Sequence, residues 1–333
     1  MHNHTLLHKA DMAVQQLIDS GGYLLPQQQE QFLRVLIDQP TLLKQVRILS
    51  MKRPSQLLER IRLSNRVLYP SYAGKALDPS QRVRPDLGAV ALEPKAFKAE
   101  LRLPEEVLED NIERQKLKDT LLQLMAQRVA LDMEEIIVRG NSNQQHDPFL
   151  SQFDGLLAQA VGNVVDHSAD LHDQRTTNAL FYKMLKAMPS EFKRDRRQLI
   201  AYVSTNSELD YRETLTQRQT LMGDKHIREN TPASAIGVSV IGLPTMPDGQ
   251  ALLVDPNNIV VGIQRNVKVE MDKDVSAGQY ILVLSVRFHA RFVVREAVVR
   301  ATGIRVPVST QTTVGTRTPA LGDRIGQFRF QVQ

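Results

Sequence analysis

The sequence predicts an α+β protein with an extended outline rather than a single ball. Three observations carry this. Residues 104–139 hold one long helical pattern. Residues 53–103 hold two alternating stretches around a turn-rich centre, with no core of their own. From Thr176 onward the pattern becomes a compact alternation of helix and strand signals.

Composition bounds the rest. The chain has 333 residues, 42% hydrophobic and 24% charged, enough to bury a sizeable core and too apolar for global disorder. It has no Cys, which excludes a disulfide framework, a thiolate metal site and a cysteine nucleophile. Trp is absent and aromatics are 5%, which argues against stacking platforms for single-stranded nucleic acid. No apolar run approaches the length of a membrane span, so no membrane partner is expected. Met1-His2-Asn3-His4-Thr5 lacks the basic and apolar regions of a signal peptide.

Residues 4–19 carry a helical pattern that ends at Asp19-Ser20-Gly21-Gly22. Pro26 opens a second helix over 27–38, and Pro40 closes it. Two short helices around Gly-Gly make a poor domain and predict an arm that lies on something else. Leu57 to Leu63 alternates after its first pair, and Ala96 to Leu103 alternates again. Between them stand Pro70, Gly74, Pro79, Pro85 and Gly88. The stretch predicts a two-stranded excursion, marginal in water without a neighbour.

In the long helix Leu122, Met125, Val129, Met133 and Ile136 recur at three- and four-residue steps, widened by Leu117, Leu121 and Leu124. A break is expected near Asn111, and Gly140 is the natural stop. Residues 141–175 are polar and turn-rich. Leu180, Phe181, Met184, Leu185 and Met188 then form a helical stripe, Leu199–Val203 a buried strand, and 207–219 a further helix. A charged loop over 223–235 precedes short strands at 238–241, 251–254 and 259–262. An alternating segment at 267–270 leads to strands at 280–288 and 290–300, then a Thr-, Val-, Gly- and Arg-rich tail from Val306.

Charge is laid down in blocks. From Lys52 to Leu103 eleven Lys/Arg face five Asp/Glu; from Pro104 to Arg139 nine acids face five bases. From Arg287 to Gln333 eight Arg face two acids. One copy could therefore present complementary surfaces to another. The plainer reading is a set of solvated faces.

Taken in order, these parts resemble the major capsid proteins of tailed double-stranded DNA phages, with the fold of the Hong Kong ninety-seven phage shell. The resemblance covers residues 20–306. It is carried by Ala96–Asp110 running from strand into helix, by Asp132–Asn141 at the helix end, and by Gly242–Gly249 followed by Leu253–Gly262. It implies an N-terminal arm over 1–52, an extended E-loop over 53–103, and a peripheral domain with its spine helix over 104–175. It further implies an axial α/β domain over 176–266, closing strands of the peripheral domain over 267–306, and a C-terminal tail over 307–333. The inter-subunit contact candidates it implies are Arg60, Arg62, Arg66, Lys75, Arg82, Arg84, Glu105, Glu106, Glu109 and Asp110, with the basic E-loop of one subunit lying over an acidic surface of the next. Some members of the family cross-link an E-loop Lys to an Asn near the chain end. Lys75 lies near the excursion tip, but no Asn follows Asn266, so cross-linking is not expected. Only a short stretch precedes the arm, which suggests a separately made scaffold or none.

Other chemistry is weaker. Asp166-His167-Ser168-Ala169-Asp170-Leu171-His172-Asp173 offers metal-ligand types, but its spacing fits no closed tetrahedral motif, and a solvated loop explains it. His2, His4 and His8 read as a frayed terminus. Arg287, Arg291, Arg295 and Arg300 could meet DNA phosphates, or form a polar strand face against another subunit. No nucleophile elbow or phosphate loop is present. The expectation is a structural, non-enzymatic protein without cofactors, assembling as pentamers and hexamers into an icosahedral shell around double-stranded DNA. Scaffolding, portal and decoration proteins are possible partners, the virion capsid its location, and the host cytoplasm its place of assembly. Alternatives are an encapsulin-type shell around protein cargo, a metal-dependent hydrolase built on His167 and His172, and a sequence-independent DNA-binding protein.

Overall fold

The computed structural model describes residues 40–63, 66–70, 76–104, 114–144, 146–168, 176–216, 233–264 and 268–305. In chain order these hold β1 (Arg47–Met51), β2 (Gln56–Arg62), β3 (Asp86–Leu92), β4 (Lys95–Pro104), the helix α1 (Arg114–Arg139), the single turn α2 (Leu156–Gln159) and β5 (Val164–Asp166). Then come α3 (Asn178–Ala187), β6 (Ile200–Ser204), α4 (Thr205–Thr216), β7 (Ala233–Ala235), β8 (Val238–Leu243) and β9 (Ala251–Val254). The last four are β10 (Ile259–Gln264), β11 (Lys268–Asp274), β12 (Gln279–Phe292) and β13 (Val299–Thr302).

β12 is the centre of a five-stranded sheet. Its sequence is rich in β-branched and aromatic residues. Leu282, Leu284, Val286, Phe288, Ala290 and Phe292 are buried at the two-residue period of a strand. β4 runs antiparallel along one edge, from Lys95 opposite Phe288 to Pro104 opposite Gln279. β10 and then β11 run along the other edge, and β1 lies parallel beside β10. α1 has 26 residues, about 39 Å at 1.5 Å per residue. Ala126, Ala130, Met133, Ile136 and Ile137 bury its inner face in the same apolar cluster as β12. Phe97 of β4 stacks on Phe288 at 4.7 Å, and Phe153 meets Phe288 edge-on at 5.8 Å.

Gly140 ends α1 as expected, for a steric reason rather than a left-handed backbone. A Cβ on Gly140 would lie 2.6 Å from the carbonyl oxygens of Ile136 and Phe153, and one on Gly155 2.7 Å from the nitrogen of Gly140. The N–H of Gly155 donates to the carbonyl of Gly140 at 2.8 Å, so two glycine backbones lock the helix end to the following loop. The buried Glu134 accepts from the N–H of Leu42 at 3.2 Å and from Oγ1 of Thr245 at 3.1 Å. It joins α1 to the segment before β1 and to the turn after β8. Burial raises its carboxyl above the usual range, against the lowering effect of these hydrogen bonds.

A six-stranded sheet follows the order β5-β13-β9-β6-β8-β7. β6 and β8 are parallel and joined through α4, as a crossover helix requires. Leu180, Phe181, Met184, Leu185 and Met188 are all buried in its core, as their spacing predicts.

Pairing differs from the sequence expectation in several places. The partner of β2 is β3, not residues 96–103, which form a body strand beside β12. Arg47–Met51, placed in the arm, is a sheet strand with Met51 fully buried. Ile259–Gln264, grouped with residues 176–266, pairs with β1 and β12 instead. The expected strand over 290–300 is interrupted: β12 ends at Phe292, and Val299–Thr302 joins the six-stranded sheet together with Val164–Asp166. Ala233–Ala235, placed in a charged loop, is a strand. Leu124 leaves the buried stripe of α1 and is 55% exposed. His167, expected on a solvated loop, is fully buried beside β13. The common cause is that strand partners are distant in sequence, and an apolar run does not encode which sheet it joins. The expected helices at 4–19 and 27–38, the break near Asn111 and the tail from Val306 lie outside the described residues.

Candidate assembly interface

The ribbon of β2 and β3 leaves the body between Met51 and Lys95, and its root is firmly held. Leu92 and Met51 are fully buried with Val260, and Leu58 packs on them. At the corner between β3 and β4, the N–H of Glu93 donates to Nδ1 of His289 at 3.0 Å. That bond leaves the imidazole proton on Nε2. His289 is itself buried against the edge of Phe153. Burial, then the nearby Arg291 and Lys95, push its pKa down to about 4, with Asp154 acting in the opposite direction. The imidazole is therefore neutral at pH 7.

The ribbon has two unlike faces because side chains alternate across a strand. Leu58, Arg60 and Arg62 turn inward and are part-buried. Nη1 of Arg60 donates to the carbonyl of Val293 at 3.2 Å. Arg62 pairs with Glu191 in the turn after α3, and its guanidinium lies 5.0 Å from the ring centre of Phe192. The hydrogen bond from Arg62 holds the Glu191 carboxyl below the usual range. Leu57, Glu59 and Ile61 turn outward. Ile61 stands directly opposite Leu87, and Leu57 opposite Ala91. Leu57 is 65% exposed, Ile61 70% and Leu87 72%, so an apolar strip faces away from the body.

The expected contact residues thus separate. Arg60 and Arg62 engage their own subunit. Arg66, Arg82 and Arg84 are exposed around a cleft at the outer part of the excursion. Lys75, Glu105, Glu106, Glu109 and Asp110 lie outside the described residues. Sequence reasoning missed Leu57, Ile61 and Leu87. The alternation over 57–63 was a usable signal, but it does not say which face looks outward.

Of the four arginines read as a possible DNA-facing set, Arg300 is held within its own chain. Nε and Nη2 of Arg300 donate to Oε1 of Gln250, and Nη1 donates to the carbonyl of Leu157. Arg287 and Arg291 stand on β12, and Arg295 on the turn beyond it. Among the described residues no group of three or more His, Asp or Glu could hold a metal ion. His172 lies outside those residues. No described helix is long and apolar enough to cross a membrane.

A central sheet backed by a long helix, a second α/β sheet, and an excursion with an uncovered apolar face together define a subunit built to be completed by others. Comparison with known proteins agrees. Residues 21–303 match the phage capsid family, and the chain belongs to that family. It is 31% identical over 317 residues to YqbE of Bacillus subtilis (strain 168), described as a prophage capsid protein, covering 92% of this chain and 100% of that one. The fold is similar to a chain of the satellite phage P4 procapsid, with a TM-score of 0.58 and 12% identity over 83% of this chain and 99% of that one. It is also similar to the SrpI encapsulin of Synechococcus elongatus PCC 7942, with a TM-score of 0.51 and 12% identity over 81% of this chain and 89% of that one. The protein is a major capsid shell protein, a virion component that assembles with copies of itself.

Proposed function

We propose that many copies form an icosahedral shell of pentamers and hexamers around packaged double-stranded DNA, each copy laying its excursion on a neighbour. The observation that carries this is the outward strip of Leu57, Ile61 and Leu87, which the chain leaves in water. Exposed apolar patches of this kind mark protein contacts. A separate scaffold, a portal and decoration proteins would complete assembly in the host cytoplasm. The protein itself carries no catalytic role in this reading.

The test is electron microscopy and sedimentation of the protein expressed alone and with candidate scaffold from the same genome. Closed shells of uniform size are expected, and only monomers under both conditions would reject the reading. Ile61→Ser with Leu87→Ser should abolish shells while shifting the melting temperature of the subunit by less than about 2 °C, since exposed substitutions change stability by less than about 0.5 kcal/mol. The similarity to an encapsulin favours one second reading, a shell around protein cargo. Shells purified from the native source separate the two: a 260 nm absorbance maximum supports DNA, and a protein spectrum supports cargo.

A further inference from the structure

The body strand β4 is 10 residues long and pairs with β12 along one edge. Among the described residues no strand occupies its other edge. An open edge offers a row of N–H and C=O groups to another strand, and proteins commonly blunt such an edge with charge. Here the charges alternate in sign. Lys98, Glu100 and Arg102 are exposed on one side of β4, and Glu100 bridges Lys98 at 3.3 Å and Arg102 at 2.8 Å. On the opposite side Phe97, Ala99 and Leu101 are half-buried against the apolar cluster beneath α1. An apolar notch of about 100 Å³ lies there, with Phe97, Ala99, Val129, Met133, Phe149 and Leu284 in its wall.

We infer that β4 pairs edge to edge with β4 of a second copy, antiparallel about a two-fold axis through Ala99. The inference rests on the shell reading above. It supplies an isologous contact between capsomers, which a closed shell needs beside the contacts within each ring. The apolar sides of both strands must stay on one face, so residues of the same parity stand opposite each other. With Ala99 on the axis, Lys98 faces the partner's Glu100 and Glu100 faces the partner's Lys98, and opposite charges across a strand pair are favourable. Phe97 faces the partner's Leu101, which brings apolar atoms to the notch. Other registers are poorer. An axis at Lys98 sets that lysine against itself. An axis at Glu100 sets the glutamate against itself and Lys98 against the partner's Arg102. An axis at Leu101 restores opposite charges but pairs only residues 98–104 of β4, whereas the axis at Ala99 pairs 95–103.

The chain has no Cys, so one introduced cysteine reports the register. Opposed residues of antiparallel strands lie about 4.5–5.5 Å apart at Cα, within reach of a disulfide. In assembled shells under mild oxidation, Ala99→Cys should link at least half of the chains as dimers. Lys98→Cys, Glu100→Cys and Leu101→Cys should each fail to self-link, and the first two should link to one another when co-assembled. Wild-type protein gives a second measurement: amide exchange over residues 96–102 should slow at least tenfold from the unassembled subunit to the shell. Unchanged exchange there overturns the inference, and so do Ala99→Cys shells without dimers or dimers from Leu101→Cys instead. Each of those results leaves the shell reading intact. Absence of shells from the wild type, with scaffold supplied, overturns both.

Discussion

Phe288 and Ile61 both sit on antiparallel strands of mixed apolar and basic residues, and they meet opposite fates. Phe288, on β12, is fully buried between Phe97 and Phe153. Ile61, on β2, is 70% exposed on the outer face of the ribbon. The difference is the number of neighbours each strand has. β12 has strands on both edges and α1 over its face, all from the same chain. β2 has one partner strand and rests on the body by one face only. The body strand is therefore enclosed by its own chain, and the excursion's outer face is left exposed by it.

The largest expected effect lies in the body. Phe288→Ala should cost about 3–5 kcal/mol in urea unfolding of the unassembled subunit, as large-to-small changes in closed cores do. A loss below 1 kcal/mol would mean that the aromatic cluster is no closed core, and the contrast with Ile61 would fail.

Next comes acid, which acts at the junction of the two regions. The folded-state pKa of His289, about 4, lies below its unfolded value of 6.5. The unfolded chain takes up the proton first, so stability falls as pH drops from about 6.5 to 4 and then levels off. The size is on the order of 3 kcal/mol. Glu134 acts with the opposite sign: its carboxyl is raised, so protonation on acidification favours the fold. His289→Gln keeps an acceptor for the Glu93 N–H and should flatten the acid limb of stability against pH. An unchanged limb would assign the acid sensitivity elsewhere.

The smallest effect belongs to the latch between Arg62 and Glu191. Arg62→Gln should raise amide exchange in residues 56–62 and 86–92 and leave β12 unchanged. Glu191→Gln should do the same, and the double variant should be no worse than either single one. Faster exchange in β12 as well would show that excursion and body open as one unit.

Much of the plan was legible before the structure. The stripe at Leu180, Phe181, Met184, Leu185 and Met188 names a buried helix face because a period near 3.6 leaves little alternative. Gly140 was legible as a stop, although the reason is the close approach of Gly155 and not a left-handed turn. The return strand of the excursion was not legible. Asp86–Leu92 contains Gly88 and follows Pro85, so its local signal is a turn, and only pairing with β2 makes it a strand. The role of Arg62 was hidden for the same reason. Basic content marks a charged surface, but Glu191 lies 129 positions away in the chain, and nothing local announces it.

By itself the sequence determined the class of elements, their order and the charge blocks, because periodicity and composition act over a few neighbouring residues. It also determined that residues 53–103 lack a core of their own. Only the tertiary structure decided which strands share a sheet, which face of the ribbon looks outward, and which arginines are held by their own chain. Those outcomes depend on contacts between distant segments, where many pairings bury similar apolar area and packing geometry selects one.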